Sequence, residues 1–407
     1  MIEARSALFD WLCGAPHGRA PQPNLEAEQW NWIAQTAREH RLRALLHCVI
    51  RDAAPGDFPD DFAAACERAF RKQSRRWLAW QAAMVVIGGA LRDESIDHVF
   101  LKGAALNLVA YPEGGQRPLR DLDLLVRPPD AERAQRIIMS MGYRRLPGVP
   151  EEITSAAYQM PLLRHPRSGL AVEVHRALIR TDRFDFRALA SMLLETAQDH
   201  DIAAKPVRCA APIPLYCHLL LHAGLKSRFD CGPLVLADLA FLHARYPELR
   251  DEFARAAQSF GLARTEALLS QVLIRHSSLA KRAGSNPAPV SRGLVDHVAA
   301  LLVLPPDTIR ARKFARDLQE DRPLGRKLLA LLAGALRPSR AKISAATGID
   351  ADARLVWLHY PAWLFDRSRL ILAGKADRGF RSEVNRDLEL HQWLAADLQA
   401  ADDRGQE

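Results

Sequence analysis

Two aspartates lie one residue apart inside an apolar run of the sequence. The stretch RPLRDLDLLVR covers residues 117–127 and places Asp121 and Asp123 among four leucines. Side chains alternate along a strand, so we expect both carboxylates on one face and Leu122 and Leu124 facing a core. Carboxylates held this close raise each other's pKa unless a cation lies between them. The pattern favours Mg²⁺, which takes oxygen ligands and is often shared with substrate phosphates.

The neighbouring segments add further groups to this acid pair. LAVEVHRAL places Glu173 and His175 on one face of a second predicted strand, about 50 residues later. FLKG ends an earlier strand at Gly103, and amide groups that open a helix there can bind phosphate. Together these features predict a two-metal site for phosphoryl or nucleotidyl transfer. The spacing alone is weak evidence, since it recurs at Glu26/Glu28, Asp199/Asp201, Asp350/Asp352 and Asp387/Glu389.

The residues around these acids predict a small α/β unit. The predicted order is strand (96–103), short helix, strand (117–127), helix closed by Gly142, and strand (168–178). Apolar spacing predicts helices before this unit, in two long runs over 26–53 and 60–94, and again from about residue 185 onward. Asp199 and Asp201 fall in that later part and suit a polar turn. We expect four regions: helical 1–92, α/β core 93–182, helical substrate-side domain 183–300, and basic, aromatic helical region with tail 301–407.

The bulk composition is that of a globular protein with two or three domains. The chain has 407 residues, 48% hydrophobic and 26% charged, and its six cysteines form no CxxC pair. They are expected to be free thiols in a reducing compartment. The N-terminus has no signal layout, and the longest uncharged stretches, 14 and 17 residues, are too short to span a bilayer. We therefore expect a cytoplasmic protein of bacterial type.

The net charge of +8 favours a polyanionic partner, although solvated arginines explain it equally well. The most basic segment, residues 326–342, precedes an aromatic stretch. Such a segment suits binding to nucleic acid or to an anionic membrane surface. A solvated pair of helices is the interpretation that we favour for it.

Several of these segments resemble the uncharacterised bacterial nucleotidyltransferase family of the polymerase-β-like superfamily. The similar segments are FLKGAAL, YPEGGQRPLRDLDLLVRPPDAERAQRIIMSMGYR and VEVHRAL. WIAQTAREHRLRALL, LLLHAGLKSRFDCGPLVLADLAFL and LVWLHYPAWLFDRSRLIL resemble that family's helical flanks, so the resemblance covers most of the chain. It implies an α+β fold, in which a small polymerase-β-like core with a mixed sheet is flanked by N- and C-terminal helical regions.

The resemblance also implies roles for individual residues. Asp121, Asp123 and Glu173 would be the catalytic residues and metal ligands. Lys102, Gly103 and Ala104 would form the nucleotide-binding turn. Ala104 stands where the superfamily often has Ser or Gly, so backbone amides would replace a hydroxyl contact, and the third acid is Glu rather than Asp.

Other polar residues have two open interpretations each. Arg117 and Arg120 neutralise nucleotide phosphates or are solvated at a strand entry. His175 belongs to the nucleotide site, where it orients a ligand or acts on the acceptor, or it is an ordinary packed histidine. One further group has the spacing of zinc ligands but lacks an HExxH glutamate, and we expect it to pack or to line the cleft: His218, His222 and Asp238.

The implied activity is Mg²⁺-dependent nucleotidyl transfer, with Mn²⁺ as a substitute. A nucleoside monophosphate would pass from an NTP to a small molecule, a peptide or protein side chain, or an RNA end, and pyrophosphate would leave. One Mg²⁺ would bridge Asp121, Asp123 and the β/γ oxygens, and a second, held also by Glu173, would activate the acceptor. The alternatives are a non-catalytic nucleotide-binding scaffold or sensor, and phosphoryl or hydrolytic chemistry on the same metals.

Overall fold

A computed structural model gives the arrangement of the chain in two compact units. The first comprises residues 1–144, 153–304 and 391–407, and the second residues 145–152 and 305–390. The second unit contains a buried ion pair between Arg312 and Asp387. The basic segment 326–342 lies outside the described residues, and the division into four regions stays a prediction. The structure describes residues 1–18, 24–51, 53–54, 56–146, 157–180, 185–277, 290–306, 308–309, 312, 356–363 and 386–396.

Four α-helices precede the sheet in the part of the chain that the structure describes. They are α1 Ile2–Gly14, α2 Ala27–Glu39, α3 Arg43–Ile50 and α4 Asp60–Asp93. The run over 60–94 is one helix as predicted, but the run over 26–53 is broken. Leu42 N–H bonds to Ala37 O and Arg41 N–H to Arg38 O, which is the Schellman pattern of a helix end. Arg41 takes the left-handed conformation, with φ +60°, that this ending requires.

A mixed sheet of seven strands forms the centre of the first unit, which confirms the predicted α+β class. The spatial order is β3-β4-β5-β2-β1-β7-β6. β2 pairs in parallel with β5 and antiparallel with β1, and all five of its residues are buried. The bounds are β1 His98–Phe100, β2 Leu122–Val126, β3 Arg144–Arg145, β4 Leu163–Arg164, β5 Ala171–His175, β6 Gln198–Ile202 and β7 Lys205–Cys209.

The β6–β7 hairpin corrects the predictions for residues 198–209. This segment is not helical, and Asp199 and Asp201 lie on β6 rather than in a turn. The turn is formed by Ala203 and Ala204, both with positive φ, as a two-residue hairpin loop requires. β6 is an edge strand, and its polar, exposed residues are typical of sheet edges. Because the strand lacks alternating apolar residues, the apolar pattern of the sequence did not predict it.

The remaining helices surround the sheet. They are α5 Lys102–Val109, α6 Ala131–Ser140, α7 Arg187–Glu195, α8 Pro212–Leu221, α9 Leu234–Arg245, α10 Arg250–Ser259, α11 Ala263–His276 and α12 Arg292–Leu301. A π-helical turn, His222–Lys226, continues α8. Residues 360–363 and 386–396 are also helical. None of the described helices is both long enough and apolar enough to cross a bilayer, and all six cysteines are free, as predicted.

Helix α4 fixes the path of the loop that leads to β2. A Cβ added to Gly114 would lie 2.3 Å from Trp77 Cδ1, and one added to Gly115 would lie 2.7 Å from Ser74 Cα. Glu113 in the same loop forms an ion pair with Arg51. The loop therefore lies directly on the middle of α4, only six residues before Asp121.

Replacement of Gly115 by alanine tests this contact. Gly115 has φ +96° and lies against the α4 backbone, whereas Gly56 has φ +89° with nothing within 4 Å. Gly56→Ala should cost about 1 kcal/mol from the left-handed conformation. Gly115→Ala should cost roughly 3 kcal/mol, because crowding adds to this cost. Urea denaturation measures both; equal losses would show that α4 does not hold the loop.

Candidate active site

Asp123 is the centre of a buried polar cluster. It lies on β2 directly beside Glu173 on β5 in the parallel register. Asp123 Oδ1 accepts hydrogen bonds from Lys102 Nζ at 2.5 Å and from His175 Nε2 at 2.8 Å. His175 Nε2 lies 3.6 Å from Glu173 Oε2. Three residues that the sequence singled out, Lys102, Glu173 and His175, thus surround the carboxylate of Asp123.

Three side chains in this cluster have the spacing of ligands to one divalent cation. One atom each from Asp123, Glu173 and His175 lies within 4.8 Å of the others. The carboxylate oxygens suit Mg²⁺ or Mn²⁺, and an imidazole nitrogen suits Mn²⁺ better than Mg²⁺. Asp121 precedes β2 and lines the same cleft but is not part of this group. The residues therefore fit a cation held mainly by Asp123 and Glu173.

Burial and charge set the protonation of the cluster. Burial, with Asp123 and Asp121 nearby, raises the pKa of Glu173 to about 7. Burial and then the Asp123 charge also raise the pKa of Asp121. Burial opposes ionisation of Asp123 as well, but Lys102 and His175 outweigh it and hold its pKa well below the usual range. Burial lowers the pKa of His175 to about 4, so its imidazole is neutral at pH 7 and donates Nε2–H to Asp123.

The predicted nucleotide-binding turn opens α5. Lys102 has φ +44°, a conformation that is costly for a residue with a side chain, and its ammonium group is turned toward Asp123. Gly103 makes a close contact, because an added Cβ would lie 2.2 Å from Arg117 Nη1. Ala104 is buried, with 1% of its surface exposed. Lys102 and Gly103 line the cleft, while the nucleotide-binding role of all three stays a prediction.

Arg117 lines the cleft, as predicted for a nucleotide-binding residue, but its guanidinium group is already paired. Its Nε and Nη2 donate to Asp238 Oδ1 and Oδ2 at 2.7 and 2.8 Å, and Tyr111 donates to the same carboxylate. A phosphate role for Arg117 would break this buried pair, whereas Arg120, which is exposed and also lines the cleft, has no carboxylate partner among the described residues. The same pair removes Asp238 from the zinc interpretation, and His218 and His222 form no ligand cluster among the described residues.

The cleft around the acids has a volume of about 350 Å³. Side chains that no motif marks complete its wall. Tyr158 stacks on His175 with ring centroids 6.1 Å apart, and Lys226 Nζ lies 4.5 Å from the Tyr158 ring centroid. Burial, and then the Lys102 charge, lower the pKa of Lys226 to about 8. The remaining polar lining includes His40, Arg41 and His222.

Comparison with family models identifies a family to which the chain is similar. A family model described as "Uncharacterised nucleotidyltransferase" matches residues 26–273, more than half of the chain. No curated protein matches. The matched range runs from just before α2 into α11, so it contains both acid-bearing strands and helices on either side of the sheet.

The Arg117–Asp238 pair should be a major contributor to stability. Asp238→Ala leaves a buried guanidinium unpaired, which should cost about 3–5 kcal/mol in the free energy of unfolding. The double variant Arg117→Met/Asp238→Leu should recover most of this loss. Asp185→Ala breaks the exposed Arg187 pair and should leave stability unchanged within error. Denaturant unfolding of wild type and the three variants measures the free energies of unfolding. An Asp238→Ala variant as stable as the Asp185→Ala control would show that the Arg117–Asp238 pair does not stabilise the fold.

The pKa of Glu173 predicts a pH-dependent stability. Its native pKa of about 7 lies above the ordinary 4.5, so the native state binds this proton more tightly than the unfolded state. The stabilisation is complete below pH 4.5 and is lost as the pH rises through 7. In metal-free buffer, wild type should therefore lose up to about 3 kcal/mol over this range relative to Glu173→Gln. Parallel denaturation curves at several pH values measure the difference; a constant offset would contradict the prediction.

Proposed function

The chain belongs to the uncharacterised nucleotidyltransferase family, and from this premise we propose that it transfers a nucleoside monophosphate from an NTP to an acceptor. Family membership supports a transferase of this general kind. The observation that carries the proposal is the convergence of Asp121, Asp123 and Glu173 in one cleft beside the start of α5. An acceptor hydroxyl attacks the α-phosphorus, the bond to the bridging β oxygen breaks, and pyrophosphate leaves.

We assign the divalent cation, Mg²⁺ or Mn²⁺, mainly to Asp123 and Glu173, with Asp121 beside them in the cleft as a further carboxylate. When bound, it neutralises phosphate charge and lowers the pKa of the attacking hydroxyl. His175 holds Asp123 through Oδ1, and Oδ2 accepts no hydrogen bond among the described residues, so that oxygen is free for a ligand. His175 is therefore a positioning residue that fixes the orientation of the carboxylate.

The remaining cleft residues supply the charge that a triphosphate needs. Lys102 and Arg120 both precede the acid pair in the sequence and line the same cleft. Lys226 lines it from the π-helical turn after α8 and has no carboxylate partner among the described residues. This placement supports the expectation that the helical region 183–300 forms the substrate side. The free cysteines support a reducing, cytoplasmic location.

One contact favours the alternative of a non-catalytic nucleotide-binding scaffold. The ammonium group of Lys102 already compensates Asp123, so the carboxylate cluster does not depend on a cation for stability. A scaffold would bind an NTP and release no product. Hydrolytic or phosphoryl chemistry on the same residues would release inorganic phosphate in place of pyrophosphate.

Ligand-dependent stability tests the nucleotide site. With Mg²⁺ and an NTP at 100 times its dissociation constant, wild type should gain about 2.7 kcal/mol. Asp121→Asn/Asp123→Asn should lose this gain, because the cation that holds the triphosphate is lost. Asp199→Asn/Asp201→Asn changes another acid pair with the same spacing on the same sheet and should keep the gain. ATP, GTP, CTP and UTP are compared by thermal unfolding; no shift of the wild type by any of them would reject the proposal.

A further inference from the structure

Helix α4 exposes apolar side chains on the side opposite its buried face. Leu78 and Val86 are 66% and 58% exposed, and the exposed Ala82 lies between them on the same side of the helix. The buried Trp80 and Met84 are each about 160° around the helix from Ala82, at 100° per residue. Water therefore contacts most of two large apolar side chains on the outer side of α4.

Charged side chains extend this apolar surface at both ends. The α4 patch lies within about 80° of the helix circumference, is about 33 Å long, and consists of six exposed residues: Arg71, Arg75, Leu78, Ala82, Val86 and Asp93. Arg71 forms an ion pair with Glu67 on the same helix. Arg75 and Asp93 have no ion pair in the part of the chain that the structure describes. The patch is thus basic at one end, apolar in the middle and acidic at the other end.

The α4 patch is symmetrical about Ala82. Leu78 and Val86 are each four residues from Ala82, and Arg71 and Asp93 are each eleven residues from it. Two antiparallel copies of α4 that meet at Ala82 place Leu78 of each copy opposite Val86 of the other. The same arrangement places the basic Arg71 opposite the acidic Asp93. A parallel arrangement would instead place Arg71 opposite Arg71.

We propose that a second copy of this chain docks on the α4 patch, so that two α4 helices form an antiparallel pair with two-fold symmetry. A two-fold axis at Ala82 uses the same patch on both copies, as in most homodimers. Arg75 then lies opposite Gly89, where an added Cβ meets nothing within 4 Å, so there is space for the arginine side chain. Asp93 lies beside Arg71 and Arg75 of the other copy. This inference does not depend on the proposed function.

The side chains at the centre of the patch determine how closely the two helices approach. Ala82 is small, so the helix axes can come to about 8 Å, the lower end of the range for packed helices. A contact made by one helix pair is small among specific interfaces. We therefore expect a reversible dimer with a dissociation constant in the micromolar range.

A membrane surface fits the α4 patch less well than a second copy does. Helices that lie on membranes have a broad apolar face and a polar face rich in lysine and arginine. The large apolar side chains of the patch are Leu78 and Val86 alone, and Asp93 would be repelled by anionic headgroups.

Sedimentation velocity of the full chain from about 1 to about 200 μM measures association. With rising concentration, wild type should shift from the 45.4 kDa monomer toward twice that mass. Leu78→Lys/Val86→Lys places like charges opposite one another and should raise the dissociation constant about tenfold or more. Leu78→Lys/Val86→Glu also introduces two charges but places opposite charges together, so it should associate about tenfold more tightly than the first variant. Ile2→Lys/Met139→Lys changes two other exposed apolar residues and should associate like wild type.

Single cysteine substitutions test the position of the two-fold axis. Ala82→Cys brings two thiols together across the axis, within the Cα separation of about 4.4–6.8 Å that a disulfide requires. In Val86→Cys the two thiols lie about 12 Å apart along the helix axes, at 1.5 Å per residue. With diamide as the oxidant, Ala82→Cys should give a disulfide-linked dimer on a non-reducing gel. Val86→Cys should stay at the level of wild type, whose own free cysteines set the baseline.

Several outcomes would overturn the inference. These are a wild type that stays monomeric at every concentration, equal weakening by Ile2→Lys/Met139→Lys, and linkage of Val86→Cys as fast as that of Ala82→Cys. Binding of monomeric wild type to phosphatidylserine vesicles through Leu78 and Val86 would assign the patch to a membrane instead. All the substituted positions are exposed, so urea denaturation should give these variants the stability of wild type, and a change in association is then not a loss of folding.

Discussion

The free-energy cost of burying charged carboxylates in the sheet is the constraint on which the structure of the active site depends. Asp123 is on a fully buried strand beside Glu173, and its charge is compensated by Lys102 and His175. Each compensating group comes from a different element, so β1 with α5 and β5 must all be in place before Asp123 is satisfied. The unusual backbone of Lys102 is understandable in these terms, because the turn into α5 must direct its ammonium group toward β2.

The parts of the site that depend on local pattern were visible in the sequence. Alternation of leucine and aspartate predicted a strand with both acids on one face, and Glu173 with His175 repeated that pattern. Gly103 predicted the start of α5 to within one residue, and Gly142 marked the end of α6. What the pattern did not contain was the register, which places Asp123 directly beside Glu173. The register depends on packing between strands that are about 50 residues apart in the sequence. The alternation of side chains within each strand does not predict it.

The features of the site and fold that the sequence did not predict depend on contacts between segments that are distant in the sequence. Arg117 and Asp238 are 121 residues apart, and each alone looked available for a ligand until their pairing was known. Tyr158 enters the cleft from a loop that carries no motif, and Lys226 enters it from a π-helical turn in a segment that resembles only the family's helical flank. The β6–β7 hairpin was missed because an exposed edge strand needs no apolar face, and the break at Arg41 because its cap uses arginine where glycine is usual.

The order of strands also has a kinetic consequence. β2 finds its neighbours at residues 98–100 and 171–175, and β1 finds its outer neighbour only at 205–209. Such long loops close slowly, and the entropy of closure is lost before the contacts form. During synthesis the helices α1 to α4 emerge and pack first, while β2 waits for β5, 45 residues later, and β1 waits for β7, more than 100 residues later. Nascent protein therefore exposes unpaired central strands for a time, a period in which protection by a chaperone is most useful.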